Sequence, residues 1–507
     1  MKRSLLSVSI LALFAATASA QQQDPEAALR LLADGERLIQ AGDLAAALRN
    51  YELLVQQFPL ASIADDALLR TAQGRWILGD RQAAEAAIGR LQNEYARTAG
   101  AAGAFVLQGN IRMATASGAA DLEAAREAFR NVVLLYGRTD FPRLGARASA
   151  LVRAGEASVL LGESQEAAAL FVQAIEDEPE STWTDAARLH LATVLLRAGD
   201  WAAAAEILQR IIDSGAAAAG RGADEATVAA SRRRLELGYR LLLRPSLSQE
   251  PWTGAHQLRF SGPPLKDPIG IAVAEDNRIV IVDTGVPLIA IVEPDGTLSA
   301  RTRSSDAFRP WWGLGAAPFV ATKRSVLNPM SRARQEFFVP ENNELKPVEE
   351  IVAGTHGVYR QWMVLDNKRK QVLLFDDEAN FMTRLMGGDG SEPVDVAVDY
   401  LGRLYVLDRK AKEVVRFNAA GGERTRIIRR DWRRPEAIAV DGLGNIYVLD
   451  RDAKLIEVFD PSGQLRWQLG PRLPGGIELR SPRDLAVDGS GRVYVADKDL
   501  KAFLVVE

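Results

Sequence analysis

Five aspartates end five similar segments in the second half of the chain: Asp283, Asp366, Asp408, Asp450 and Asp497. Carboxylates repeated in this way have two chemistries open to them. They can converge as a ring of oxygen ligands around a hard cation. Alternatively, each can accept backbone N–H groups in the turn that follows it, as turn aspartates do. Repetition favours the second, because a catalytic or metal centre breaks the symmetry of a repeat. Histidine is scarce, with only His190, His256 and His356 in 507 residues. Two of these, His256 and His356, fall in the same half of the chain as the aspartates, too few for a three-His zinc centre. Cysteine is absent, which removes disulfides, thiolate nucleophiles and Cys-based zinc sites. The chain has no G-x-x-x-x-G-K-[ST], no H-E-x-x-H and no G-x-S-x-G, so nucleotide hydrolysis, zincin proteolysis and the α/β-hydrolase arrangement find no support. No cofactor is expected, although an oxygen-ligand calcium site stays open.

Partner-binding chemistry is better represented. Arg429-Arg430-Asp431-Trp432-Arg433-Arg434 is a basic run around an aromatic, and Arg409 and Arg451 each follow one of the repeated aspartates. Such a patch suits an acidic protein surface, an acidic glycan or a phosphate-bearing polymer. Trp311 and Trp312 are adjacent indoles read as a loop, able either to form a sugar or peptide platform or to plug a core. His356 is expected near a channel mouth. The net charge of −4 gives no reason to expect nucleic acid.

The elements that must position these residues come from a repeat. PEAIAVDGLGNIYVLDRDAKLIEVF from Pro435 recurs as PVDVAVDYLGRLYVLDRKAKEVVRF from Pro393 and PRDLAVDGSGRVYVADKDLKAFLVV from Pro482. PIGIAVAEDNRIVIVDTGVPLIAIV from Pro268 is a weaker copy. The later prolines are 42 and 47 residues apart, and the 125 residues from Pro268 to Pro393 leave room for two degenerate units. One runs near Arg309 to Val339 and the other near Gly354 to Gly387. Each unit has short alternating apolar runs separated by Gly-containing turns, four strands in all, which is a propeller blade. The repeat resembles the NHL repeat in its Pro, its I-A-V-D strand, its G-x-I-Y-V-x-D strand and its V-x-x-F strand. The resemblance implies a six-bladed propeller that binds partners on one loop face. Its last blade is expected to be completed by Gln257 to Ser261. Six-bladed propeller enzymes of the lactonase type hold calcium with Glu, Asn and Asp, and the NHL-type amidating lyase holds zinc with histidines. Neither set stands in register here.

Residues 24–244 read as helix, with apolar residues at helical spacing. Gly42-Asp43, Gly79-Asp80, Gly162-Glu163 and Gly199-Asp200 punctuate the pattern at intervals of 37, 83 and 37 residues. The Gly ends one helix and the acidic residue caps the next. Two helices per unit make a solenoid. AGDLAAALRNYELLVQQFP and LGESQEAAALFVQAIEDEP resemble the tetratricopeptide repeat in their mid-helix small residue, their Tyr51 or Phe171 and their closing Pro. Residues 245–254 read as a linker and 255–507 as the propeller.

The first twenty residues read as an export leader. Lys2 and Arg3 precede an apolar run from Leu5 to Ala16, and Ala18-Ser19-Ala20 is a small-residue cleavage site, with cutting after Ala20. No later stretch is a membrane span. The fold class is therefore multidomain, a helical tetratricopeptide-like solenoid followed by an all-β six-bladed propeller. The functional expectation is a periplasmic or secreted, non-catalytic scaffold or adaptor for protein or peptide partners. A calcium-dependent propeller hydrolase or lyase and a cell-envelope glycan-binding module are the alternatives. Arg409, Trp432, Arg433, Arg434, Arg451, Trp311, Trp312 and His356 are the candidate contact residues.

Overall fold

The computed structural model describes residues 25–116, 119–137, 145–216, 223–274, 276–312, 317–341, 344–356, 361–376, 379–388, 390–399, 402–418, 421–422 and 424–507. The leader expected over residues 1–20 and its cleavage position, Ala20, lie outside them. Helices come first: α1 (Pro25–Gln40), α2 (Leu44–Gln57), α3 (Ala64–Ile77), α4 (Arg81–Glu94), α5 (Ala99–Ala114), α6 (Ala119–Leu135), α7 (Ala146–Leu160), α8 (Ser164–Asp177), α9 (Thr184–Arg197), α10 (Trp201–Ala216) and α11 (Glu225–Gly238). The punctuation seen in the sequence does the work expected of it. Gly42, Gly79, Gly162 and Gly199 take φ of 81°, 75°, 83° and 83°, a left-handed cap that a Cβ would strain. Asp43, Asp80 and Asp200 accept the N–H of Ala46, Ala83 and Ala203.

The chain divides into two compact units. The first is helical and takes in residues up to Arg112, with Ala124–Ala154 and Glu176–Trp183. Its core is built from Leu48, Tyr51, Leu54, Leu68, Ile88 and Leu91. The buried Tyr51 ring packs against Gly35, where a Cβ would come within 2.3 Å of it. The second unit holds Met113–Glu123, Gly155–Ile175 and Thr184–Glu507.

Within the second unit six four-stranded antiparallel sheets form the blades. Their inner strands are Pro268–Val273, Ala307–Trp312, Ile351–His356, Pro393–Val398, Pro435–Val440 and Pro482–Val487, and they define blades one to six in that order. Second strands such as Ile446–Asp450 are buried along their whole length. Fourth strands such as Leu298–Thr302 alternate between half-buried and exposed. The sixth blade is completed by Ala255–Gln257, which pairs with Ala502–Val506. That strand lies two residues upstream of the expected Gln257–Ser261. The reason is local: the N–H groups of Thr253 and Gly254 both donate to the Glu507 carbonyl at 2.8 Å, which sets the register before residue 257 is reached. Ring closure pairs the two edges that an open sheet would leave bare.

Every inner strand carries a bulge just after its first residue. The pairing skips one residue in five blades, leaving Ile269, Val352, Val394, Glu436 and Arg483 outside the ladder. In blade two it skips both Phe308 and Arg309. A bulge frees backbone groups and re-aims side chains, so these residues are the ones that differ in direction from the rest of the strand.

Helices of the second unit pack on blades five and six. Leu196, Leu208, Leu237 and Leu241 share one apolar cluster with Leu443, Tyr447, Leu485 and Val493. Trp252 is buried in it, edge-on to Tyr447 and Trp467, and its indole N–H donates to the Gly491 carbonyl at 2.8 Å. Arg240 donates from Nε to the Ser490 carbonyl, and burial holds its guanidinium below the ordinary arginine pKa. Residues 245–254 thus include a side chain locked into the propeller rather than a run of solvated coil.

Candidate functional site

The repeated aspartates act as turn holders. Asp450 accepts the N–H of Ala453 in the turn that follows it and those of Arg433 and Arg434 before its own inner strand. Asp283, Asp408 and Asp497 repeat the arrangement with Val286, Ala411 and Leu500 and with the residues ahead of their inner strands. Asp366 makes the turn half of it, with Lys368 and Arg369. Each carboxylate therefore clips the loop entering a blade to the turn between its second and third strands. Among the described residues no group of three His, Asp or Glu side chains is placed to hold a metal ion.

These clips gather two sets of loops on one face: those entering the inner strands and those leaving the second strands. Arg409, Arg433, Arg434 and Arg451 lie there. Trp311, Trp312 and His356 do not, because they end inner strands and so belong to the opposite face. The eight candidates are thus split. His356 closes its strand instead of opening it, and its ring lies 4.0 Å from that of Trp362 and edge-on to Phe319. Trp311 and Trp312 stand on a strand and not in a loop. Trp311 is 6% exposed and packs with Phe319, while Trp312 is half-buried under the Arg278 guanidinium. Trp432 is 3% exposed, and its indole N–H donates to Glu457 at 2.7 Å, where Arg430 and Gln468 also bind. A stacking platform built from three exposed indoles is therefore absent, because two of the three are core side chains.

One residue crosses the ring. Arg309 leaves the double bulge of blade two, and its side chain is only 14% exposed. Nη1 donates to the Val394 carbonyl at 3.0 Å, and Nη2 donates to the carbonyls of Glu436 at 2.5 Å and Arg483 at 3.3 Å. These are the bulge carbonyls of blades four, five and six. Carboxylates complete the surround: Asp395 at 3.1 Å, Asp484 at 3.4 Å and Glu436 at 3.9 Å. Gly270 of blade one makes room for the bulge, since a Cβ there would sit 2.6 Å from Pro310 Cδ.

Charge around Arg309 is unbalanced. Burial alone would lower its pKa, but Asp395, Asp484 and Glu436 together raise it above the ordinary value, so the guanidinium is held charged. Arg309 faces three carboxylates, of which Glu436 also pairs with Arg409 and Arg434. Burial pushes the Asp484 carboxyl up to about 7, Arg309 opposes that shift and the neighbouring Asp395 adds to it. Asp395 moves in the same direction, again through burial. Both aspartates also reach the next blade, Asp395 accepting the N–H of Ile438 at 2.8 Å and Asp484 that of Ile271 at 2.9 Å.

Above this centre lies the arginine face. Glu436 takes Arg409 at 2.9 Å and Arg434 at 3.4 Å, and Arg409 also meets Glu392 at 3.4 Å. Among the described residues Arg451 and Arg483 have no carboxylate within 4 Å, and Arg483 Nε is buried without a hydrogen-bond acceptor. Burial lowers the Arg451 pKa first, and the neighbouring Arg483 and Arg434 lower it further. A crowded set of guanidiniums with few counter-ions attracts an anionic group.

The signal for the missed residues was faint but real. Two positions after the opening Pro stand Gly270, Ala437, Asp395 and Asp484 in four aligned units. Two acids at a position otherwise occupied by small residues mark a polar feature at the axis.

Comparison with known proteins identifies part of this chain. Residues 159–222 match the tetratricopeptide repeat. No curated protein matches it. Among solved structures the propeller is similar to virginiamycin B lyase from Staphylococcus aureus, at 12% identity over 48% of this chain and 82% of that one, with a TM-score of 0.37. It is similar to a gluconolactonase from Xanthomonas campestris, at 14% identity over 50% and 88%, with a TM-score of 0.40. A luciferin-regenerating enzyme matches at 11% identity over 50% and 95%, with a TM-score of 0.38. The expectation that this chain is not an enzyme is corrected by these neighbours, which are named as enzymes. At such identity and TM-score they assign no activity to it.

Proposed function

We propose that the protein binds protein partners, and that the arginine face of its propeller takes an acidic segment of the partner chain. The observation that carries this reading is the crowding of Arg409, Arg434, Arg451 and Arg483 on one face, where Glu436 pairs with Arg409 and Arg434 and Glu392 with Arg409. Among the described residues, Arg451 and Arg483 have no carboxylate within 4 Å. Arg side chains bind carboxylates in a planar, bidentate way, and a partner that supplies carboxylates relieves the mutual repulsion already present. A protein partner is favoured over a glycan by the tetratricopeptide match at residues 159–222, since stacked helical repeats offer extended binding surfaces for polypeptide. The buried indoles of Trp311 and Trp432 also weigh against a sugar platform.

The test is a titration of the full chain with an Asp/Glu-rich peptide and with a Lys/Arg-rich peptide of equal length. The acidic peptide should bind and should weaken steeply as salt rises from low ionic strength to about 0.15 M, as partly screened charges do. Equal binding of the two peptides would refute the reading.

We also place the protein outside the cytoplasm, on the strength of Lys2, Arg3, the apolar run to Ala16 and Ala18-Ser19-Ala20.

A further inference from the structure

The surround of Arg309 has an unusual composition for a propeller axis that is closed by one side chain. Three backbone carbonyls and three carboxylates point at a single guanidinium, and every one of these acceptors comes from blades four, five or six. The donor alone comes from blade two. The acceptors spread around the planar N–H fork, with Nη1 serving Val394 and Asp395, Nη2 serving Glu436 and Arg483, and Nε facing Asp484. That spacing matches a guanidinium, whose five N–H bonds diverge in one plane. It does not match a metal ion, which draws its oxygens to within about 2.6 Å of one point, and no three acidic side chains among the described residues are placed to do so.

We propose that the propeller axis is a guanidinium-selective binding site, built from the bulge carbonyls of blades four to six with Asp395, Asp484 and Glu436, and that Arg309 is its tethered ligand. The site clamps blade two to the far side of the ring and closes the channel to small molecules. It lies beneath the arginine face and does not rest on the binding role given to that face. Gly270 belongs to the device, because it gives the double bulge the space to aim Arg309 inward.

Chemical rescue tests this in the full chain. Arg309→Ala should lower the Tm of the propeller, and about 20 mM methylguanidinium, well below denaturing guanidinium concentrations, should restore a large part of the loss. The same addition should leave wild type unchanged or slightly lower its Tm. Methylammonium and calcium at equal concentration should restore nothing. Should Arg309→Ala not accumulate as folded protein, Arg309→Lys decides: it keeps the charge without the fork and should still melt well below wild type. The proposal is overturned if Arg309→Ala melts with wild type, if methylammonium or calcium rescues it as well as methylguanidinium, if methylguanidinium gives no recovery in a folded variant, or if Arg309→Lys matches wild type.

Discussion

At the scale of single residues, Asp484 carries the clearest consequence. Its carboxyl is pushed up to about 7 from an ordinary 3.8, through burial and the nearby Asp395, with Arg309 pulling the other way. The folded chain therefore holds a proton across that window which the unfolded chain has already released. Stability from this group is present in full below about pH 4 and is lost as pH rises through 7. Asp484→Asn keeps an acceptor for the Ile271 N–H and stays neutral throughout. Denaturant unfolding at pH 5 and pH 8 should show wild type losing more stability between the two than the variant does. Equal losses would place the proton elsewhere. Asp484 also illustrates what was legible in the sequence. Asp450 and its copies repeat from blade to blade and were readable as turn residues from that repetition alone. Asp395 and Asp484 were not, because their role depends on Arg309, more than 80 residues away in the chain. No local pattern encodes a meeting across a ring.

At the scale of elements, the helix–propeller contact of the second unit hangs on Trp252. The sequence around it, with two prolines and no helical period, reads as a connection, and nothing in its spacing reveals that one indole is buried against Tyr447 and Trp467. Trp252→Ala removes that packing and the bond to the Gly491 carbonyl. It should cost about 3–5 kcal/mol, the usual range for deleting a buried tryptophan, read as a shift of the urea transition. A loss below about 1 kcal/mol would mean the contact contributes little. The blades and hairpins were legible because each repeats its own punctuation, Gly at a left-handed cap or Pro at a strand start. The double bulge of blade two was not, because its inner strand opens on Ala307 where four other blades open on Pro. For the same reason Trp311 and Trp312 read as a loop although they lie on a strand.

At the scale of the whole molecule, helical repeats and a closed propeller occur in one chain, and no described helix is long and apolar enough to cross a membrane. The export leader proposed from the sequence belongs to this scale. Mature protein recovered from outside the cytoplasm should begin at Gln21, read by N-terminal sequencing, and a chain retaining Met1 there would contradict the placement. The function proposed for the assembled molecule rests on its arginine face, so the deciding measurement is made on that face. Arg434 and Arg451 are partly exposed and lie outside the Arg309 surround. Reversing both to Glu in the full chain should weaken binding of an Asp/Glu-rich peptide by at least about tenfold, the scale expected when like charges replace complementary ones, with the unfolding transition little changed. Undiminished affinity for the acidic peptide in that double variant would contradict the account.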